Sequence, residues 1–287
     1  MRFDYLAAST IEEALHLLTR DKGETKVLAG GTDLFLQVRS KRIKPEYVVD
    51  ISDIPDLSGV SYDDKRGLRI GALTTIRTLE TSSEVRHRYP ILSEAAGQLG
   101  SVAIRNVATV GGNLCNARPS AETAQALVAL STQSVIVGPG GERIVPLENF
   151  FTGVGTTVLK TGELLKEIQV PILPPGSRGG YYKHSMRGTI DLAIVNAAVV
   201  VSPEDGDKCY CRDVRIVLGA VAPTPMRAIN AEGILRGKRM DKTLIDEAAR
   251  AASAEARPRA ASIRGSVEYK KEMVRLITEK LLWACVT

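Results

Sequence analysis

Two hydrophobic periods alternate along the chain. Ala14, Leu15, Leu17 and Leu18 recur at helical spacing behind Thr10 and Glu13, a threonine N-cap with a glutamate three positions on, which predicts a helix after a short extended piece over residues 3–6. Lys26-Val27-Leu28 and residues 47–51 read as β-rich runs, with a paired-glycine turn at Gly30-Gly31 between them. Residues 60–62 and 68–71, on either side of Asp63-Asp64-Lys65-Arg66-Gly67, carry a hairpin signal. Helical patterns follow from Thr74 or Thr75 through Leu79, over residues 91–99, and from a Ser120 cap through Glu122 to Leu130. Strands are expected over 135–137 and 143–145, around the turn Pro139-Gly140-Gly141, and over 164–170.

Pro174-Pro175-Gly176-Ser177 breaks this succession. Beyond it, residues 181–184, 192–201 and 214–220 look like the strands of a small sheet, and helical patterns occupy 229–236, 242–256 and 266–284. The expected class is therefore α+β, with one domain over residues 1–175, divided near Pro55 into subdomains of about 1–57 and 58–175, and a second over residues 176–287.

Bulk properties narrow the partners more than the fold. At 44% hydrophobic and 25% charged residues the chain has ordinary globular composition, and no apolar run reaches the roughly 18–20 residues that cross a bilayer. The first residues do not open a signal peptide, so a cytoplasmic location is expected. The net charge of +5 is scattered among 33 acidic residues rather than gathered in a basic stripe, which argues against nucleic acid as a partner. Cys115, Cys209, Cys211 and Cys285 form no Cys-x-x-Cys pair, and His16, His87 and His184 share no ligand spacing. No resident metal or iron–sulfur cluster is expected, and no residue qualifies by spacing as a nucleophile or general base. Cys209 and Cys211 would share one face of a strand, a pattern more typical of buried thiols than of a metal site.

Candidate chemistry concentrates in two glycine turns. Val27-Leu28-Ala29-Gly30-Gly31-Thr32-Asp33-Leu34-Phe35 runs from a strand through a tight turn into a helix start that Thr32 or Asp33 can cap, and Thr109-Val110-Gly111-Gly112-Asn113 repeats the paired glycines. Such backbone admits an anion close to consecutive N–H groups. An ordinary strand–turn–helix connection reads as well from the first turn alone. Two separated turns can clamp a long ligand, but neither is a Gly-x-Gly-x-x-Gly or a Gly-x-x-x-x-Gly-Lys-Ser/Thr, so the Rossmann and P-loop readings are weak.

Ala29-Gly30-Gly31-Thr32-Asp33-Leu34, Ile104-Arg105-Asn106 leading to Thr109-Val110-Gly111-Gly112-Asn113-Leu114, and Asp191-Leu192-Ala193 together resemble the FAD-binding medium subunit of molybdenum hydroxylases, the family of carbon monoxide dehydrogenase and xanthine dehydrogenase. The resemblance covers essentially the whole chain. It implies a two-subdomain FAD-binding domain of the vanillyl-alcohol-oxidase-like type followed by a small C-terminal domain. It also implies FAD contacts from Leu28 through Phe35, from Thr109 through Asn113, and from Glu122, Leu165, Lys183, Asp191 and Leu192. Glu122 stands where many relatives have Asp. The family further implies iron–sulfur clusters on a small partner subunit, molybdopterin on a large one, a dimer of heterotrimers, and electron transfer through FAD to an external acceptor. A free-standing FAD-dependent oxidoreductase and a non-catalytic assembly subunit are the rival readings. Neither glycine turn contains a histidine, so the flavin is expected to be non-covalent.

Overall fold

The computed structural model describes residues 3–20, 23–188, 190–204 and 207–286. Strands β1 (Asp4–Ala7), β2 (Thr25–Leu28) and β3 (Tyr47–Asp50), with helices α1 (Ile11–Arg20) and α2 (Leu34–Arg39), form the first lobe. Its sheet has the order β1-β3-β2, and both β1 and β2 pair in parallel with β3. Helix α1 starts as the sequence dictates. The Glu13 N–H donates to Thr10 Oγ1 at 3.1 Å, while the Glu13 carboxylate reaches one residue further back and accepts from the Ser9 N–H at 2.8 Å.

The second lobe is built on β4 (Val60–Asp63), β5 (Gly67–Gly71), β6 (Gln133–Gly138), β7 (Gly141–Pro146) and a later strand over Leu164–Val170. These strands lie in the antiparallel order β4, β5, Leu164–Val170, β6, β7. A small two-stranded hairpin, β8 (Phe151–Gly153) and β9 (Thr156–Thr157), precedes the central strand, which becomes β10. Both expected hairpins are present. Helices α3 (Ile76–Thr81), α4 (Ser83–Arg88), α5 (Pro90–Gly97), α6 (Val102–Arg105), α7 (Val110–Cys115) and α8 (Glu122–Ala129) belong to this lobe. Every residue of α8 is buried, as a helix enclosed on all sides requires. The cap expected from Ser120 is not made: the N-cap is Ala121, without a side-chain hydrogen bond, because the chain enters from a turn closed by Ala121 N–H donating to the Arg118 carbonyl.

The third lobe holds β11 (Arg178–His184), β12 (Val195–Glu204), β13 (Asp207–Gly219) and β14 (Met226–Arg227) in sequential order, with β15 (Lys238–Arg239) on β13. Helices α9 (Ile229–Leu235), α10 (Lys242–Glu255) and α11 (Val267–Val286) pack beside this sheet. Strand β12 starts three residues later than its apolar run suggests. Residues 191–193 instead belong to a bend, tied by the Asp191 N–H to the Gly188 carbonyl and closed by the Ile194 N–H on the His184 carbonyl at 2.8 Å.

The lobes share their cores. Leu73, Val137 and Leu164 complete the apolar cluster of the first lobe, and Tyr181, Ala198, Val200 and Val217 enter the cluster of the second. The approach to the second glycine turn is held by a buried arginine. The Arg105 side chain is 8% exposed; it donates to Glu80 at 2.8 Å through Nε and to the carbonyls of Leu99 and Gly100 at 3.0 and 3.1 Å. Burial pushes the Glu80 carboxyl up, but hydrogen bonds and charge from Arg77 and Arg105 outweigh it and leave the group below its ordinary value. Removing one partner of such a pair strands the other. The Arg105→Met variant is expected to lose about 3–5 kcal/mol of stability, read from urea midpoints at pH 7; a loss below about 1 kcal/mol would contradict this role.

Candidate functional site

The two glycine turns meet across one cavity of about 530 Å³, inside the range of small-molecule sites. The first turn forms one wall, α7 a second and β10 a third, with Leu73, Leu99, Ile104, Leu159 and Leu164 supplying apolar surface. The glycines have different reasons to be glycine. A Cβ on Gly30 would stand 1.9 Å from the Val107 carbonyl oxygen, and one on Gly111 would stand 2.7 Å from that of Ala72. Both keep protein backbones close together. Gly31 instead adopts φ +69°, the left-handed turn that sends the chain into α2.

The turns also differ in what they offer a ligand. In α7 the N–H of Val110 donates to the Thr74 carbonyl, that of Gly111 to Ala72 at 2.7 Å, that of Gly112 to Thr109 Oγ1 at 3.0 Å and that of Asn113 to the Thr109 carbonyl. The second turn has spent four of its five N–H groups on the fold, all but that of Thr109. Among the described residues, none of the N–H groups of Ala29, Gly30, Gly31, Thr32 and Asp33 donates to a protein acceptor, and all of these residues line the cavity. Asp33 is the N-cap of α2 without a side-chain cap bond, so its carboxylate leaves these donors free. This consecutive run of N–H groups is the strongest anion-binding feature of the cavity.

Of the residues singled out from the sequence, Ala29 through Leu34, Thr109, Gly111, Gly112, Asn113 and Leu165 line the cavity. Leu28 and Val110 are buried in the core, Phe35 is 48% exposed, and none of the three lines it. Glu122 and Lys183 meet each other behind the wall, at 2.8 Å, with side chains 9% and 1% exposed. Lys183 also donates to the Gln98 carbonyl at 2.9 Å. Burial pushes the Glu122 carboxyl up, and the attraction of the Lys183 ammonium offsets only part of that rise. Asp191 accepts from Arg187 at 2.8 Å on the bend before β12, and Leu192, half exposed there, lies outside the cavity lining.

Sequence reasoning missed Leu73, Leu99, Ile104, Cys115, Asn116, Arg118, Leu159 and Glu163 among the lining residues. Leu73, Leu99 and Leu159 face the cavity with the pattern of core positions, so no local signal marked them, whereas Ile104 stands in the motif that carries the family resemblance and Cys115 and Asn116 directly follow the second glycine turn. Burial pushes the Cys115 thiol up to about 12, which makes it a neutral thiol rather than a nucleophile. No group of three or more His, Cys, Asp or Glu side chains is placed to hold a metal ion among the described residues, and no helix there is long and apolar enough to cross a membrane.

A consecutive run of free N–H groups opening on a mostly apolar cavity suits a ligand that joins an anionic group to apolar rings, as a nucleotide cofactor does. The chain belongs to the FAD-binding family of molybdopterin dehydrogenases: the family described as "FAD binding domain in molybdopterin dehydrogenase" matches residues 1–173, and "CO dehydrogenase flavoprotein C-terminal domain" matches residues 180–284. It is 34% identical to the carbon monoxide dehydrogenase medium chain of Hydrogenophaga pseudoflava, over 99% of this chain and 98% of that one. It is 30% identical to the xanthine dehydrogenase FAD-binding subunit of Escherichia coli O157:H7, over 97% of this chain and 94% of that one. The solved carbon monoxide dehydrogenase of Hydrogenophaga pseudoflava superposes with a TM-score of 0.94 at 34% identity, covering 100% of this chain and 99% of that one. Quinoline 2-oxidoreductase from Pseudomonas putida 86 gives 0.91 at 28% identity, covering 100% and 97%. The cofactor is therefore FAD, and the residues present fit it: free amides for a diphosphate and apolar walls for the rings.

Two tests follow from this geometry. A Cβ on Gly112 would meet only Thr109 Oγ1, at 2.9 Å, so Gly112→Asp disturbs one helix cap, worth about 1 kcal/mol, while placing a carboxylate in the cavity. It is expected to weaken FAD binding at least about 100-fold with a small change in melting temperature, whereas Gly30→Ala, which collides with backbone, lowers the melting temperature itself. Equal flavin content in Gly112→Asp and the unsubstituted protein would contradict the placement. The second test concerns the wall at Glu163. The Arg143 guanidinium, bonded to it at 2.9 and 2.7 Å, pulls its carboxyl down to about 2, with the Lys160 N–H adding a third bond. Because the folded value lies below the unfolded value of about 4.3, this contribution is present above pH 4.3 and is lost as pH falls towards 2. The stability difference between the unsubstituted protein and Arg143→Gln should be constant from neutral pH to about 5 and shrink below that, measured by urea midpoints in pH steps. A difference independent of pH would contradict it.

Proposed function

We propose that this chain is the FAD-carrying electron-transfer subunit of a multi-subunit molybdenum hydroxylase in the cytoplasm. Its partners in this reading are a small subunit with iron–sulfur clusters and a large subunit with molybdopterin, assembled as a dimer of heterotrimers. The observation that carries the proposal is the run of free N–H groups at Ala29–Asp33 on the wall of the 530 Å³ cavity. Relatives named as a medium chain and as an FAD-binding subunit support the assignment to a larger assembly.

Residues 1–175 act as the FAD-binding domain, with subdomains of about 1–57 and 58–175, and residues 176–287 as a C-terminal domain laid against it. When bound, FAD accepts a pair of reducing equivalents and releases them to a separate acceptor. The chain's own residues bind and orient. Ala29 through Asp33 would donate to the diphosphate, and Thr109, Gly111, Gly112 and Asn113 would shape the facing wall. Leu165 offers an apolar surface, while Glu122 and Lys183 hold their charges just behind. Phe35, Asp191 and Leu192, which lie outside the cavity lining, would complete the site once the cofactor and the partner subunits are in place.

The flavin is held without a covalent bond. Acid precipitation of the purified chain should leave FAD, one per chain by chromatography, in the supernatant; colour kept in the pellet, or FMN, would contradict this. The lone chain loaded with FAD should not be bleached by aldehydes, purines or N-heteroaromatic acids, and activity should appear only with both partners. Rapid substrate-dependent bleaching of the lone chain would favour a free-standing oxidoreductase instead.

A further inference from the structure

A diphosphate bound at the first turn would lie beside the Asp33 carboxylate, and among the described residues no cation pairs with that carboxylate. Four charged residues line the cavity, Lys26, Asp33, Arg118 and Glu163. Lys26 is paired with Glu24 at 3.3 Å, and Glu163 is clamped by Arg143. Asp33 and Arg118 remain, and no carboxylate among the described residues pairs with Arg118. The second turn supplies little of the missing positive potential from its backbone, because the N–H groups of Val110, Gly111, Gly112 and Asn113 are already spent and only that of Thr109 is not.

The chain takes unusual trouble to hold Arg118 where it is. Ala117, buried at 3% exposure, adopts φ +46°, a left-handed conformation that costs a residue with a Cβ. It is locked there by its N–H on the Leu114 carbonyl and by the Gly155 N–H on its own carbonyl at 2.9 Å. On the other side Pro119 fixes the backbone, its carbonyl accepting from the Ala220 N–H at 2.7 Å and from Gln125 Nε2. Arg118 thus sits between two restrained residues where α7 hands over to α8, among the residues that line the cavity.

We propose that Arg118 is a binding residue for the cofactor's diphosphate, supplying from the second wall the charge that the α7 backbone does not. The inference rests on the assignment of the cavity to FAD. It assigns to one side chain a share of the affinity that the glycine turns alone do not provide, because a guanidinium bonds phosphate oxygens strongly and remains charged at any working pH.

The test uses the full chain stripped of flavin, with FAD, ADP and riboflavin as separate probes in calorimetric titrations. Arg118→Gln should raise the Kd for FAD about 10- to 100-fold and that for ADP by a similar factor, leave riboflavin unchanged, and reduce the salt dependence of FAD binding. Arg118→Lys, which keeps the charge, should recover part of the loss, and unchanged melting temperatures would exclude a folding defect. An unchanged Kd for FAD in Arg118→Gln would overturn the proposal, as would an equal loss for riboflavin, which has no phosphate. If the folded, unsubstituted chain bound no FAD at all, the assignment of the cavity would fall and this proposal with it.

Discussion

The structure is organised around backbone donors that the protein leaves unused. Buried or half-buried N–H groups are ordinarily paired, and leaving one without a partner costs about 1–3 kcal/mol. At Ala29–Asp33 a succession of them faces a cavity, held in place by a left-handed glycine at Gly31 and by the close approach of Gly30 to the Val107 carbonyl. The facing turn pays in the opposite sense. Its amides from Val110 to Asn113 are committed to Ala72, Thr74 and Thr109, which zips α7 onto the segment before α3. One turn keeps its amides free and the other commits most of its own to the fold, although their sequences look alike.

The third lobe reaches this site through α8. That helix is enclosed by α5, β12 and β13, and its first residue, Glu122, receives Lys183 from β11. A buried pair of this kind adds little net stability, yet loss of either partner is costly, so it fixes position more than it strengthens the fold. Lys183 also donates to the carbonyl of Gln98, next to the cavity residue Leu99. Around the pair, Asn196 Nδ2 donates to the Tyr181 hydroxyl at 2.9 Å, and a Cβ on Gly219 would stand 2.0 Å from Asn196 Oδ1. A shift of the C-terminal sheet would therefore be felt at the cofactor wall.

Much of this was legible in the sequence. The capping box at Thr10 and Glu13, the hairpin turn at Asp63–Gly67, the turn at Pro139–Gly141 and the long helices over Lys242–Glu255 and Val267–Val286 all follow from local pattern. Both glycine turns stood out, and they do meet at one cavity. The rest depends on partners distant in the chain. Helix α7 is six residues long with two glycines, so its propensity is poor, and it exists because Thr74 and Ala72 accept its first donors. That contact also decides which turn can offer amides, a distinction no window of sequence contains. Leu192 reads as strand by its apolar neighbours, yet the Arg187–Asp191 pair and the bend at Gly188 keep it outside β12.

Amide hydrogen exchange of the full chain, with and without FAD, tests the division of labour between the two turns most directly. Residues 29–33 should exchange fast in the stripped protein and become protected when FAD is bound. Residues 110–113 should be protected in both, since the fold already occupies their N–H groups. Protection that appears at 110–113 on binding, with none gained at 29–33, would contradict the account.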